Sequence, residues 1–116
     1  HTREQWLELS RPMVKPAADG AGFVLHYDPA IAVPFRQTTR EASEQGEALL
    51  WQMYDAIQAD TLLLRGKDSD LLSVETAQAM TRRGPKARLV EFAGVGHAPT
   101  LIAEDQVRAV REFLLA

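Results

Sequence analysis

The sequence of 116 residues contains no cysteine, which excludes disulfide bonds, thiolate nucleophiles and cysteine-ligated metal sites. No apolar run approaches the roughly 20 residues of a membrane span, and no signal peptide is recognisable. Positive charge is not in excess, because 13 Lys and Arg residues face 16 Asp and Glu residues. Nucleic acid and membrane surfaces are therefore not expected partners. The three histidines lack the spacing of metal ligands, so neither a metal nor another cofactor is expected.

The composition that remains is ordinary for a globular protein, with 46% hydrophobic and 25% charged residues. The length suffices for one small domain with a modest core. The absence of cysteine fits a reducing compartment, and we expect a cytoplasmic location. The chain begins His1-Thr2-Arg3 without an initiator methionine, so we expect it to be cut from a longer protein.

The pattern of predicted elements changes near residue 58, which divides the chain into two segments. Residues 1–58 contain an amphipathic helix over 4–13, a loop over 15–22, an apolar stretch over 23–35 interrupted by prolines, and a helix over 40–57. The prolines limit the stretch at 23–35 to a short extended piece at most. This segment is thus predicted to be mostly helical.

Residues 59–116 follow a more regular order of strand, helix, strand and helix. The strands are predicted over 60–66 and 87–94 and the helices over 73–85 and 103–116, with Ser73 as the N-cap of the first helix. Short connections between such elements predict an α/β fold with two parallel strands and a right-handed crossover. Because parallel strands are normally buried inside larger sheets, we expect these strands to need further neighbours. Those neighbours would come from the N-terminal part of the same protein or from self-association through the sheet edges.

Side chains that can act as acids or bases follow both predicted strands. The stretch "RGKDSDLLS" (65–73) places Asp68 and Asp70 after the first strand, and "FAGVGHAPTL" (92–101) places His97 after the second. The ends of neighbouring parallel strands lie about 5 Å apart, and ligands of open α/β sheets bind outside these carboxyl ends. One aspartate could therefore accept the Nδ1–H of His97 and leave Nε2 as a general base.

Each of these residues also has an interpretation without chemistry. His97 could be a turn histidine among glycines, and either aspartate could lie in a solvated turn or cap the Ser73 helix. Arg65 could pair with one of the aspartates in a structural role. His26, in "LHYDP", is interpreted as part of a turn because Pro29 follows.

The two strand ends resemble the C-terminal part of an α/β-hydrolase of the esterase and lipase superfamily. The matching region is roughly 59–116, with "ADTLLLRGKDSDLLS" and "VEFAGVGHAPTLIAEDQVRAVREFL". The resemblance implies a catalytic triad in the chain order Ser, Asp or Glu, then His. It assigns His97 as the histidine and Asp70 as the acid, with Asp68 as the alternative. It also implies that residues 1–58 are a helical cap or lid segment.

The sequence departs from this family at the nucleophile. The family carries it in G-x-S-x-G, whereas none of the four serines here has glycine two residues away on both sides: Ser10, Ser43, Ser69 and Ser73. We therefore expect the chain alone to be inactive, and the intact protein to hydrolyse ester or thioester bonds of a small-molecule substrate. Dehalogenase, haloperoxidase or carbon–carbon hydrolase chemistry on the same fold is an alternative. A non-catalytic binding or dimerisation module is another.

Overall fold

A computed structural model describes the whole chain, His1–Ala116. The helices and strands in chain order are α1 (Arg3–Ser10), β1 (Val14–Pro16), β2 (Phe23–Leu25), α2 (Ala32–Gln37), α3 (Arg40–Asp55), β3 (Leu62–Gly66), α4 (Val74–Met80), β4 (Arg88–Phe92) and α5 (Glu104–Leu114). The chain divides into two compact units, His1–Ser43 and Glu44–Ala116. None of the helices combines the length and apolar character that a membrane crossing requires.

The first unit combines two short helices with a β-hairpin. α1 begins with a capping box in which the Gln5 N–H donates to Thr2 Oγ1 at 3.2 Å and the Thr2 N–H donates to Gln5 Oε1 at 2.9 Å. β1 and β2 pair antiparallel from Val14↔Leu25 to Pro16↔Phe23.

Two expectations for this unit need correction. The predicted loop over 15–22 contributes its first two residues to the hairpin. The strands of this hairpin are too short for their pairing to be predicted from the sequence. The stretch over 23–35 contains the expected short extended piece, β2, but it also contains the helix α2, with Pro34 as its third residue. Proline is tolerated there because the first N–H groups of a helix have no intrahelical partner.

The second unit contains the predicted α/β arrangement. β3 and β4 are parallel, in register from Leu62↔Arg88 to Gly66↔Phe92, which confirms the prediction. α4 connects them and is capped by Ser73, whose Oγ accepts the Thr76 N–H at 3.1 Å, so the predicted N-cap is also confirmed. The two strands form a sheet of their own, separate from the hairpin.

α4 ends at Met80, earlier than the predicted position near residue 85. The Met80 carbonyl accepts the Tyr54 hydroxyl at 2.7 Å and the Ala87 N–H at 3.2 Å, so partners from outside the helix satisfy it. Gly84 then turns the chain with a φ of +55°, a conformation that favours glycine. The region after α4 is therefore a turn that leads into β4.

The hydrophobic core is small for a chain of this length. The buried apolar residues are Ala77, Ala87 and Phe92. The three leucines of β3, at positions 62–64, are only half-buried. A parallel sheet is normally covered on both faces, and this sheet has two strands and leucines that remain partly in contact with solvent.

The end of α3 belongs to the second unit. Asp55 forms an ion pair with Arg83, and the Arg83 guanidinium lies 4.3 Å from the ring centroid of Trp51. The compact units divide between residues 43 and 44. The assignment of residues 1–58 to a cap stays a prediction.

The Asp55–Arg83 pair should make stability depend on pH. Hydrogen bonds from Arg83, assisted by its charge and opposed by slight desolvation, hold the pKa of Asp55 below its ordinary value of 3.8. A lowered native pKa contributes stability above the unfolded pKa, and this contribution disappears as the pH falls through the native pKa. We expect Asp55→Asn to lower the free energy of unfolding at pH 7, with a difference from the wild type that shrinks as the pH falls below about 4.

Urea denaturation across this pH range checks the expectation. Asp60→Asn is the matched control, because Asp60 lies outside the ion pair and its replacement removes no contact with Arg83. A destabilisation by Asp55→Asn that persisted undiminished at the acid end would contradict an electrostatic origin.

Candidate functional site

The loops that follow β3 and β4 are joined at one edge of the sheet. The Lys67 N–H donates to the Phe92 carbonyl at 2.9 Å, and the Asp68 N–H donates to the Val95 carbonyl at 3.0 Å. These bonds continue the strand pairing beyond Gly66 and hold residues 67–70 against residues 92–97. The predicted meeting of the two strand ends is therefore present.

The approach of the two loops requires glycine at the end of β3. A Cβ atom at Gly66 would lie 2.2 Å from both the Val95 and the Gly96 carbonyl oxygens. Gly94, with a φ of +70°, turns the chain between β4 and His97. Two glycines thus allow the segment before His97 to rest directly on the end of β3.

His97 contacts the loop 67–72 through a serine. Its Nδ1 lies 3.2 Å from the Oγ of Ser69, the residue between the two aspartates. Asp68 and Asp70 are both exposed, and neither forms a hydrogen bond or ion pair with His97. The structure thus brings His97 to the predicted loop and places a hydroxyl at Nδ1. The assignment of Asp70, or alternatively Asp68, as the acid stays a prediction.

Ser69 was not singled out by the sequence reasoning. Its N–H donates to the Gly66 carbonyl at 3.1 Å, which closes a turn, and its Oγ accepts the Leu72 N–H at 3.1 Å. A serine that accepts the N–H three residues later repeats the pattern of a helix N-cap. That pattern, in "SDLL", is the signal from which Ser69 could have been found.

A buried arginine supports the loop from the sheet. Arg65 is 4% exposed and forms a 2.8 Å ion pair with Glu91, its register partner on β4. Its Nε donates to the Leu72 carbonyl at 2.8 Å, and one of its terminal nitrogens donates to the Lys67 carbonyl at 3.5 Å. Arg65 therefore pairs with Glu91 and not with an aspartate of the loop. It holds the loop at both ends.

The segment after His97 is fixed by the last helix. Gln106, in the first turn of α5, is 3% exposed, and its Oε1 accepts the Leu101 N–H at 2.9 Å. Leu101 has a φ of +58°, a strained conformation for a branched side chain, and this hydrogen bond helps to maintain it. The segment 97–101 is thus held by β3 at one end and by α5 at the other.

The remaining histidine of interest, His26, lies beside the hairpin of the first unit. Its backbone N–H donates to the Met13 carbonyl at 2.8 Å, and its side chain is exposed. This is the turn position that the sequence predicted. The described chain contains no group of three or more residues arranged to hold a metal ion.

The geometry of the site suits proton transfer. The His97 imidazole is exposed and its Nδ1 lies beside Ser69 Oγ, and an imidazole can accept or donate a proton through either ring nitrogen. Histidine in such a setting can act as a general base and then as a general acid.

Comparisons with known proteins place this arrangement in context. The chain is 46% identical over 115 residues to a 3-hydroxybutyrate-oligomer hydrolase of Cupriavidus necator, and the match covers 97% of the chain and 39% of that protein. It also superposes, with a TM-score of 0.75 and 31% identity, on the crystal structure of an α/β hydrolase from Novosphingobium aromaticivorans. That match covers 99% of the chain and 39% of the solved structure. No family model matches the sequence.

Proposed function

We propose that this chain, which has the α/β-hydrolase fold, contributes the histidine and the acid of a serine hydrolase that acts on ester bonds. The observation that carries the proposal is the placement of His97 beside the loop 67–70, at the carboxyl edge of two adjacent parallel strands. The acid-bearing loop precedes the histidine along the chain, which is the order of the triad in this fold. The assigned residues are His97 and Asp70, with Asp68 as the alternative acid.

The chemistry follows from the role of the imidazole. A serine hydroxyl attacks the ester carbonyl while Nε2 of His97 takes the hydroxyl proton, and the resulting tetrahedral intermediate expels the alcohol. His97 returns the proton to the leaving alcohol. Water then enters by the same route, His97 again takes a proton, and the acyl group leaves as a carboxylic acid. Asp70 stabilises the imidazolium that forms in each half of the reaction.

The name of one relative supports a proposal for the substrate class. The Cupriavidus protein is a 3-hydroxybutyrate-oligomer hydrolase, and this chain shares 46% of its residues over 115 positions. Units of a hydroxy acid in an oligomer are joined by ester bonds between one carboxyl and the next hydroxyl. We therefore propose oligomeric esters of short hydroxy acids as substrates, in preference to the halogenated or carbon–carbon substrates of other enzymes with this fold.

The partner is the part of the hydrolase that carries the nucleophile. The chain spans 39% of the length of each protein that it matches, and none of its serines lies in G-x-S-x-G. Its two-stranded parallel sheet leaves the β3 leucines half-exposed. We propose that the rest of the same protein extends this sheet with further strands and covers its leucines with other elements, that residues 1–58 serve as a cap over the site, and that the 116 residues alone are inactive.

To test the proposal, the chain is expressed together with the coding sequence that precedes His1. The release of 3-hydroxybutyrate from linear oligomers is then measured. Asp70→Asn is expected to lower kcat by about 100-fold to 10⁴-fold with little change in KM, because a triad acid stabilises the imidazolium. Asp60→Asn, a matched change outside the site, should leave the rate unchanged. A larger loss in Asp68→Asn would assign the acid to Asp68, and a wild type that hydrolyses neither the oligomer nor a simple ester would refute the proposed function.

A further inference from the structure

We infer that Ser69 is a positioning residue for His97, whose hydroxyl binds Nδ1 and selects the tautomer with the proton on that nitrogen. The catalytic meaning of this inference rests on the proposed function. The contact itself does not, because it is a 3.2 Å approach between Ser69 Oγ and His97 Nδ1 within one unit of the chain.

The bonding capacity of the serine hydroxyl supports the assignment. A hydroxyl offers one proton and two lone pairs, and the Leu72 N–H already donates to Oγ at 3.1 Å. One lone pair and the hydroxyl proton remain for other partners. If Nε2 is to take a proton from a nucleophile, Nδ1 must carry the ring proton, and the remaining lone pair of Ser69 is the acceptor for it. The same lone pair stays available when the ring becomes an imidazolium.

The position of the hydroxyl is set by buried groups rather than by the exposed loop alone. Leu72, which donates to Ser69, accepts a 2.8 Å hydrogen bond at its carbonyl from Arg65 Nε. Arg65 is buried and held by its 2.8 Å ion pair with Glu91. The hydrogen bonds thus run from the paired strands through Leu72 and Ser69 to His97, so the imidazole is oriented by the sheet.

Ser69 and Asp70 then have separate roles. Asp70 is exposed and makes no hydrogen bond to His97 in this structure, so its role as the acid belongs to the proposed function alone. Ser69 is uncharged and touches the ring, so it acts on orientation and tautomer. Loss of Ser69 should change which nitrogen carries the proton, and a change elsewhere in the loop should do so only where it breaks the contact between Ser69 and His97.

The test observes the imidazole nitrogens of the 116-residue chain directly. Two-bond ¹H–¹⁵N spectra separate protonated from unprotonated Nδ1 and Nε2. Because the chain has three histidines, His97→Gln and His26→Gln samples identify the signals of each residue as those that disappear. The wild type should show Nδ1 protonated and Nε2 bare at a pH where the ring is neutral. Ser69→Ala should reverse the preference to protonated Nε2, and Ser69→Thr, which retains the hydroxyl, should restore it.

Ser73→Ala is the matched control, because Ser73 lies four residues away and its hydroxyl bonds to Thr76 rather than to His97. It should leave the His97 signals as in the wild type. The inference would be overturned if the His97 tautomer were the same in the wild type and in Ser69→Ala. It would also be overturned if the ring nitrogens of His97 in the wild type gave the same signals as those of His26, which has no contact with Ser69.

A kinetic arm separates this inference from the proposed function. In the protein expressed with its preceding coding sequence, Ser69→Ala should lower kcat by up to about 100-fold, with KM within about twofold, because a misoriented base fails in the chemical step. It should have no further effect in a His97→Ala background, since Ser69 acts through His97. If Ser69→Ala reverses the tautomer of His97 but His97→Ala retains wild-type activity, the proposed function is refuted and the role of Ser69 at the ring stands. If Ser69→Ala leaves the tautomer of His97 unchanged but His97→Ala loses activity, the role of Ser69 is refuted and the proposed function stands.

Discussion

Replacement of His97 by alanine is expected to lower kcat for ester hydrolysis by roughly 10⁴-fold to 10⁶-fold, measured in the protein expressed with its preceding coding sequence. The imidazole transfers a proton in both halves of the proposed reaction, so its removal leaves both the attacking serine and the leaving alcohol without a proton partner. Replacement of a neutral imidazole by alanine removes no charge, and it removes no buried contact because the His97 side chain is exposed. The expected loss is therefore one of chemistry rather than of folding.

The measurement follows acyl release from a p-nitrophenyl ester and from 3-hydroxybutyrate oligomers under saturating substrate. His26→Ala provides the control, since His26 lies in an exposed turn beside the hairpin of the first unit and should leave kcat unchanged. Circular dichroism establishes that both variants retain wild-type secondary structure. A His97→Ala protein with more than about a tenth of the wild-type rate would remove His97 from the mechanism, since proton transfer by a positioned side chain contributes at least about 100-fold.

The elements of the second unit could be predicted because local signals agreed with each other. The apolar run "TLLL" and the run "LVEF" became β3 and β4, and Ser73 caps the helix between them. Parallel strands need a crossover connection, which is usually a helix, so the order of strand, helix and strand favoured the observed topology. The hairpin of the first unit was missed because its strands have three residues each, too few to show an alternating pattern.

The meeting of the two loops followed from topology, whereas the identity of the contacting residue did not. Parallel neighbours present their carboxyl ends at one edge, and this placed His97 near the residues 68–70. Which side chain of a turn reaches the ring depends on hydrogen bonds made by residues distant in sequence. Here Arg65 holds the Leu72 carbonyl and the Leu72 N–H holds Ser69 Oγ. These bonds depend on the Arg65↔Glu91 register, which no local pattern specifies.

Glycine at the end of β3 is the residue on which both loops depend. The Val95 and Gly96 carbonyls approach the Cα of Gly66 so closely that an added methyl would lie 2.2 Å from each oxygen. Both obstacles are backbone atoms, so no side-chain rotation relieves the overlap. The Asp68 N–H bond to Val95 lies beside the overlap and would have to lengthen as the second loop moved outward.

Gly66→Ala is therefore expected to destabilise the chain by at least about 3 kcal/mol, at the upper end of the cost of overpacking. Urea denaturation followed by circular dichroism measures this cost. Gly46→Ala is the matched control: Gly46 lies inside α3 with no atom within 4 Å of an added Cβ. It should raise stability by about 0.5–1 kcal/mol, since alanine is the better helix former.

The same substitution should release His97 from Ser69. The segment that moves away from Gly66 ends one residue before His97, so the 3.2 Å contact at Nδ1 cannot be kept while the Val95 and Gly96 carbonyls withdraw. We expect the His97 imidazole signals of Gly66→Ala to match those of Ser69→Ala, although both Ser69 and His97 are unchanged. A Gly66→Ala chain within 0.5 kcal/mol of the wild type, with wild-type His97 signals, would mean that the loops do not rest on β3 as described. Steric fit at one backbone position would then not be what orients the imidazole.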